Sequence, residues 1–210
     1  MTPWATPVTL AGTRVRMEPL SMERHGEGLL QIALEPEIWR WTMPLMRDAA
    51  DLERYLGEAL REQAEGRSLP FATIDVASGR VAGCTRYGNV DARNRRVEIG
   101  WTWVGLEFQR SHVNTEAKYL MLRHAFETLD CVRVEFKANA LNERSRAAME
   151  RLGAVYEGLL RKHMVRENGE WRDTVYYSIL DREWPDVKAR LEGLMRRDST
   201  QRVASREPIR

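Results

Sequence analysis

The stretch "EFQRSHVNTEAKYLML", residues 107–122, reads as the end of a strand segment and the opening of a helix. A helix start presents unpaired backbone N–H groups and a partial positive charge, so it binds anions such as phosphate without any side chain. Arg110 adds a cation, and Ser111, His112 and Asn114 are small or turn-tolerant enough for neighbouring amides to converge. Glycine would let the backbone approach a ligand more closely, yet none stands between Gly105 and Gly153. An ordinary strand-to-helix loop fits the same periodicity. Just upstream, Glu98 in "RRVEIGWTWVG" is a carboxylate open to proton transfer or to an ion pair with Arg86, Arg95 or Arg133. Histidine as a residue type suits general-base work, which makes His163 a candidate, although a lone strand histidine also serves structure. Cys84 and Cys131 sit in strand-like runs and read as buried thiols. No histidines and cysteines are set at metal-ligand spacing, so no metal site is expected.

Elements that could position these residues are readable from turn chemistry and period. "TLAGTRVRMEPL" alternates around Val15 and Met17 as a first strand. Ser21 caps a short helix with Leu29, Leu30 and Ala33, and Pro36 and Pro44 start and stop the next segment. Asp48 or Asp51 opens a helix with Leu52, Tyr55, Leu56, Ala59 and Leu60 at helical spacing. "LPFATIDV" and "RVAGCTRYGNV" form a hairpin across Ala77, Ser78 and Gly79. In the following strand, Val97, Ile99, Trp101 and Trp103 are expected on one face and Glu98, Gly100 and Thr102 on the other. A helix is predicted over about residues 114–128, then the strand "CVRVEF". Asn142 reads as the N-cap of "ERSRAAMERL" and Gly153 as its C-terminal cap. A long hairpin turns at Asn168-Gly169, and a last helix runs from about residue 183 or 185 to 195.

This order predicts an α/β chain of the α+β type. Its sheet is mixed and mostly antiparallel, with about seven strands. The strands around Glu98 and Val134 are joined by a helix long enough for a parallel crossover. The 210 residues suit one domain, expected over residues 1–197, followed by a flexible basic tail at residues 198–210. A net charge of +2 argues against a dedicated nucleic-acid binder. No apolar run reaches the roughly 18 residues of a membrane span, and the N-terminus lacks the apolar core of a signal peptide. The expected compartment is the cytoplasm.

Three strings, "VEIGWTWVGLEFQRSHVNTEAKYLMLRHAFE", "ALNERSRAAMERLGAVYEG" and "RDTVYYSIL", stand in telling order and spacing. Together they resemble the GNAT acetyltransferases, in particular the ribosomal-protein serine/alanine N-acetyltransferase branch, over about residues 8–185. The resemblance implies a GNAT fold with helices on both faces and a central parallel pair splayed to bind acetyl-CoA. It places the thioester against the strand "GWTWV", and so Trp103 and Val104 beside the cosubstrate. It places the pyrophosphate on Gln109, Arg110, Ser111, His112, Val113, Asn114 and Thr115. The family pattern there is Q/R-x-x-G-x-G/A. Gln109 matches it, while His112 and Asn114 occupy the two glycine positions. Asn142 and Ser145 match positions beside the pantetheine arm and the sulfur.

The same resemblance implies roles. Ser145 would donate a hydrogen bond to the departing thiolate, because Met149 stands where many members carry tyrosine. A serine in a first helical turn also satisfies local backbone. Glu98 would be the general base. The final hairpin lines the acceptor side in the family, which makes His163 and Asp173 substrate-binding candidates; Asp173 could orient an amine or bond an arginine. Trp39 and Trp41 lie in the region that covers the acceptor cleft, and at i, i+2 they cannot both face the core of a helix. The implied activity is direct attack of a primary amine on acetyl-CoA. The expected acceptor is a protein N-terminal α-amine, with reference pKa about 8 against about 10.4 for lysine, which a modest base can deprotonate. The alternatives are a small-molecule amine, antibiotic or polyamine, and a non-catalytic acyl-CoA-binding module, which the missing glycines and Met149 motivate. A homodimer is compatible with the family.

Overall fold

A computed structural model of the chain describes residues 4 and 6–204, with side chains as far as residue 197. The chain begins with a short hairpin, β1 (Leu10–Ala11) and β2 (Val15–Pro19). The alternation around Val15 suggested one strand there, and the sheet accordingly has eight strands, not about seven. The reversal depends on a distant carboxylate: Glu116 Oε1 accepts from Thr13 N at 2.6 Å and from Arg14 N at 3.0 Å.

Three helices follow: α1 (Met22–Ala33), α2 (Pro36–Trp39) and α3 (Ala49–Ala64). Ser21 and Asp48 cap α1 and α3 by accepting from Arg24 N and Asp51 N, as their types predict. Next come β3 (Leu69–Asp75), β4 (Val81–Asp91), β5 (Arg96–Val104) and α4 (His112–Glu127). The last part holds β6 (Arg133–Asn139), α5 (Glu143–Leu152), β7 (Val155–Val165), β8 (Trp171–Leu180) and α6 (Trp184–Ala204). Asn142 and Gly153 bound α5, with Gly153 in the left-handed conformation at φ 105°. Helix α6 runs past the expected end near residue 195 into the basic end, and residues 205–210 lie outside the described residues.

Strand order in the sheet is β1-β2-β3-β4-β5-β6-β8-β7, and only β5 and β6 run parallel. One core lies between the sheet and α4 to α6, where Val97 and Ile99 meet Leu120, Met121, Trp184 and Leu191. A second core lies under α1 to α3 and joins Leu29, Ile32, Trp39, Leu52, Leu56 and Trp103.

Strand β5 does not keep one alternation along its length. Cys84 pairs with Trp103 and Arg86 with Gly100, so Trp101 and Thr102 together oppose the single residue Thr85. Trp101 is the bulged residue, at φ 49°. The bulge reverses the faces. Before it, Val97 and Ile99 point toward α4; after it, Thr102 does, hydrogen-bonded to Lys118, while Trp103 enters the other core. The expectation that Trp101 and Trp103 share a face with Val97 and Ile99 is therefore wrong, because one extra residue shifts a period of two. The bulge also bends β5 away from its neighbour. Parallel pairing with β6 covers only Arg96 to Glu98 against Arg133 to Glu135. Beyond that the two strands separate as a wedge.

Candidate active site

The walls of the wedge are residues 99–104 of β5 and 136–139 of β6. Gln109 spans its mouth. Its Nε2 donates to the Val104 carbonyl at 2.9 Å, and its Oε1 accepts from Arg144 Nη1, at the start of α5, at 2.8 Å. The glycine-free loop makes its sharp turn at Arg110, which holds φ 56°. Ser111 then caps α4, accepting from Val113 N at 3.3 Å and donating to the Phe108 carbonyl at 2.5 Å. This leaves the His112 and Asn114 amides at the helix start to face an anion. The donor set fits a phosphate-bearing group, since the exposed Arg110 and Arg144 flank those amides.

Side chains in this loop mostly point inward. His112 is 5% exposed, and its Nε2 lies 2.9 Å from Asp75 Oδ1, so the ring anchors the helix to the β3–β4 turn. Val113 is wholly buried, and Thr115 accepts from Arg151 Nη2 at 2.9 Å. An anion at this helix start would therefore meet backbone amides and the flanking arginines rather than these side chains. At the start of α5, Asn142 Oδ1 accepts from Ser145 N at 3.0 Å. The half-buried Ser145 hydroxyl makes no hydrogen bond to another described residue, which leaves it free to donate.

On the sheet face opposite α4 lies a cleft of about 660 Å³ lined by Glu62, Asn89, Trp101, Glu135, Lys137 and Tyr176 among others. Glu98, 5% exposed, lies where the wedge begins, behind two residues of that lining, Asn89 and Lys137. Its Oε2 accepts from Asn89 Nδ2 at 2.6 Å and pairs with Lys137 Nζ at 2.7 Å. None of the three arginines considered from sequence is its partner. Arg86 bonds Glu62, Arg95 bonds Asp130, and Arg133 bonds Glu135 and Glu157. The other oxygen, Oε1, lies against Gly100, where a Cβ would stand 2.9 Å away; any other residue would push the carboxylate aside. Gly88 is needed for a similar reason, since a Cβ would meet the Trp101 ring at 2.2 Å. Burial works against a charge on Lys137, but Glu98 and Tyr176 together outweigh it and raise the amine above its ordinary value. Arg172 is shifted down, chiefly by burial, with Glu98 opposing.

The family model described as "Acetyltransferase (GNAT) domain" matches residues 14–155, well over half of the chain. This chain is a member of the GNAT acetyltransferases. Among curated proteins it is 40% identical over 110 residues to "Putative ribosomal N-acetyltransferase YdaF" of Bacillus subtilis (strain 168), covering 52% of this chain and 59% of that one. The chain spans 59% and 50% of the lengths of the first two curated relatives it matches. The crystal structure of a GCN5-related N-acetyltransferase from Brucella melitensis is 33% identical with a TM-score of 0.84, over 92% of this chain and 87% of that one. Mycobacterium smegmatis RimJ in complex with CoA-disulfide shares the fold at a TM-score of 0.77 and 24% identity, over 90% of this chain and 96% of that one.

The acetyltransferase distributes the remaining candidates unevenly. Trp39 is a core residue, 4% exposed, with its Nε1 on the Ala33 carbonyl and its ring 5.2 Å from Trp103 and 5.7 Å from Tyr55. It does not line the cleft. Trp41 is half-buried beside Arg40, at 4.9 Å. His163 is exposed and meets the Tyr176 ring edge-on at 5.8 Å. Asp173 does not share the cleft face with its strand neighbours Arg172 and Thr174. Its Oδ1 accepts from Lys162 N at 2.6 Å and so fixes a bulge in β7. The hairpin tip closes against the loop after α2. Arg166 donates to the Thr42 and Arg40 carbonyls at 3.1 and 2.8 Å, and Glu167 Oε2 accepts from Leu45 N at 2.9 Å.

Sequence reasoning missed Asn89, Lys137, Arg172, Thr174 and Tyr176. A signal existed. Arg133, Glu135 and Lys137 alternate along β6, and Arg172, Thr174 and Tyr176 along β8, although both strands are central. Polar alternation inside a sheet marks a wet face. Among the described residues no helix is long and apolar enough to cross a membrane, and no group of His, Cys, Asp and Glu could hold a metal.

Proposed function

We propose that this acetyltransferase moves an acetyl group from acetyl-CoA to the α-amine of a protein N-terminus by direct attack. The observation that carries the reading is Glu98, a buried carboxylate on the open sheet face where β5 and β6 part. The cleft supports the acceptor class. Glu62, Asp91 and Glu135 are matched there by Arg67, Arg96, Arg133 and Lys137, so it lacks the acidic excess that would favour a polyamine or aminoglycoside. The ribosomal naming of YdaF and the CoA-disulfide held by RimJ point the same way.

Acetyl-CoA supplies the thioester. The Val104 carbonyl, the amides of His112 and Asn114, and Arg110 and Arg144 would hold it, with Gln109 releasing Val104. Glu98 takes one proton from the incoming ammonium, directly or through water, which exposes the nitrogen lone pair. The N–C bond then forms as the C–S bond breaks. The nitrogen's second proton leaves for the thiolate, which the Ser145 hydroxyl stabilises as a hydrogen-bond donor. The wedge and cleft meet at Glu98, so much of the rate comes from holding the amine beside the thioester.

The test is a melting curve followed by a thiol assay. Acetyl-CoA at 100 times its dissociation constant stabilises the fold by about 2.7 kcal/mol, and peptides with N-terminal serine or alanine then release free CoA thiol. No shift at millimolar acetyl-CoA overturns the reading. A shift without thiol release from any amine leaves a non-catalytic acyl-CoA-binding module.

A further inference from the structure

Two buried polar atoms without a partner, Arg172 Nε and Thr174 Oγ1, lie on β8 in the row that leads to Tyr176, which lines the cleft. They are successive residues on one face of β8. The register continues that row to Tyr176, which pairs with Lys137, and sets Thr174 opposite Asn139. Lys137 in turn holds Glu98. The row therefore flanks the far wall of the wedge, on the same side as the proposed base. Burying a donor without an acceptor is unfavourable, and natural proteins keep such groups where a ligand completes them.

Charge points in the same direction. The field around Arg172 comes from Glu98, Tyr176 and a second guanidinium, Arg166. Lys137 is paired with Glu98 and Arg166 with Glu170, while among the described residues Arg172 forms no ion pair. Arg172 Nε is the donor left without an oxygen acceptor, and a polyamine brings none. A peptide N-terminus brings one in a fixed place, the first carbonyl, a single carbon away from the amine.

Resting on the N-terminal reading above, we propose that Arg172 is the specificity determinant for the acceptor. Its Nε–H takes the carbonyl oxygen beside the α-amine while Glu98 takes the amine proton, and Thr174 bonds a polar group of the first residue. The enzyme thereby selects amines that carry an adjacent carbonyl over plain amines.

The experiment compares a seryl peptide with ethanolamine, which is serine without its carboxyl group, and with free serine. Wild-type enzyme prefers the seryl peptide in kcat/KM. Arg172→Met collapses that preference by about 10- to 100-fold, the effect of losing one charge-assisted hydrogen bond. The loss appears as a higher peptide KM, with the KM for acetyl-CoA unchanged. Thr174→Val, nearly isosteric, lowers the preference less and covers the case in which Arg172→Met does not fold. Equal losses on peptide and ethanolamine, or no loss, overturn the proposal. Free serine acetylated better than the peptide also overturns it, by assigning the oxygen to a carboxylate. Wild-type enzyme inactive on all three acceptors overturns the proposed function instead, a pattern distinct from the others.

Discussion

Lys118 and Lys137 approach the central sheet from its two faces and respond to burial in opposite ways. Lys118, on α4, is 6% exposed, and its amine bonds Thr102 Oγ1 at 2.7 Å and Thr85 Oγ1 at 3.5 Å. Both partners are neutral, and burial alone lowers its pKa to about 7. Lys137, on β6, is also desolvated, but Glu98 at 2.7 Å, with help from Tyr176, more than compensates and raises it. Residue type and burial therefore do not decide whether a lysine is charged; the partner does. The difference maps onto the work of each face. Toward α4, Lys118, Thr85 and Thr102 brace the bulge that opens the wedge, and an amine that loses much of its charge near neutral pH is enough. Toward the cleft, charge is retained where the proposed reaction needs an amine bound and deprotonated.

Removing Glu98 breaks the comparison most strongly. Glu98→Gln should lower kcat by about 10²- to 10⁴-fold near neutral pH, while acetyl-CoA still raises the melting temperature as before. Lys137 then loses its counter-ion, and its pKa falls toward the behaviour of Lys118, which NMR titration of the lysine side chains reports. Turnover equal to wild type would remove Glu98 from the mechanism.

Lys137→Met tests the same pair from the other side. It leaves a buried carboxylate with Asn89 as its remaining direct partner. Breaking a buried pair costs about 3–5 kcal/mol, here reduced by Asn89 and the nearby Arg172, so urea unfolding at pH 7 should show a loss of about 2–3 kcal/mol.

The same substitution at Lys118 should act with opposite sign. In the folded chain this amine titrates at about 7, against 10.5 in its ordinary state. Between those values the unfolded chain holds a proton that the folded chain lacks, so stability rises with pH from about 7 to about 10.5. Below that window the folded state carries the full penalty of a buried charge. Lys118→Met should remove the slope, gaining on wild type by a few kcal/mol at pH 6 relative to pH 10. Parallel urea-unfolding curves across that range would refute the account.

An exposed pair should respond least. Arg80 and Glu107 form two hydrogen bonds at 2.5 and 2.6 Å, but both side chains are about half exposed. Replacing Arg80 with Met should barely move the urea-unfolding midpoint, and 0.5 M salt should erase most of the difference. A loss as large as that at Lys137 would mean that desolvation is not what separates the two cases.

The parts of the fold legible in the sequence are those with a local cause. Ser21, Asp48, Asn142 and Gly153 stand where helices begin and end because a cap needs only its own few residues. The helix start at residues 109–115 was legible for the same reason, and so was Glu98 as a carboxylate on a strand. Its partners were not, because Asn89, Lys137 and Arg172 come from three other strands. The split of β1 from β2 was hidden because it depends on Glu116, in a helix on the far side of the chain.

By itself, then, the sequence determined the order of elements, their caps and the resemblance that led to the family. Tertiary structure decided that His112 turns inward to Asp75, that Trp39 belongs to the core, and that Trp103 and Thr102 exchange faces. Caps and periods act through neighbours along the chain. A bulge, an ion pair or a buried lysine takes its energy from segments that meet only when the sheet is assembled, so no local pattern records it.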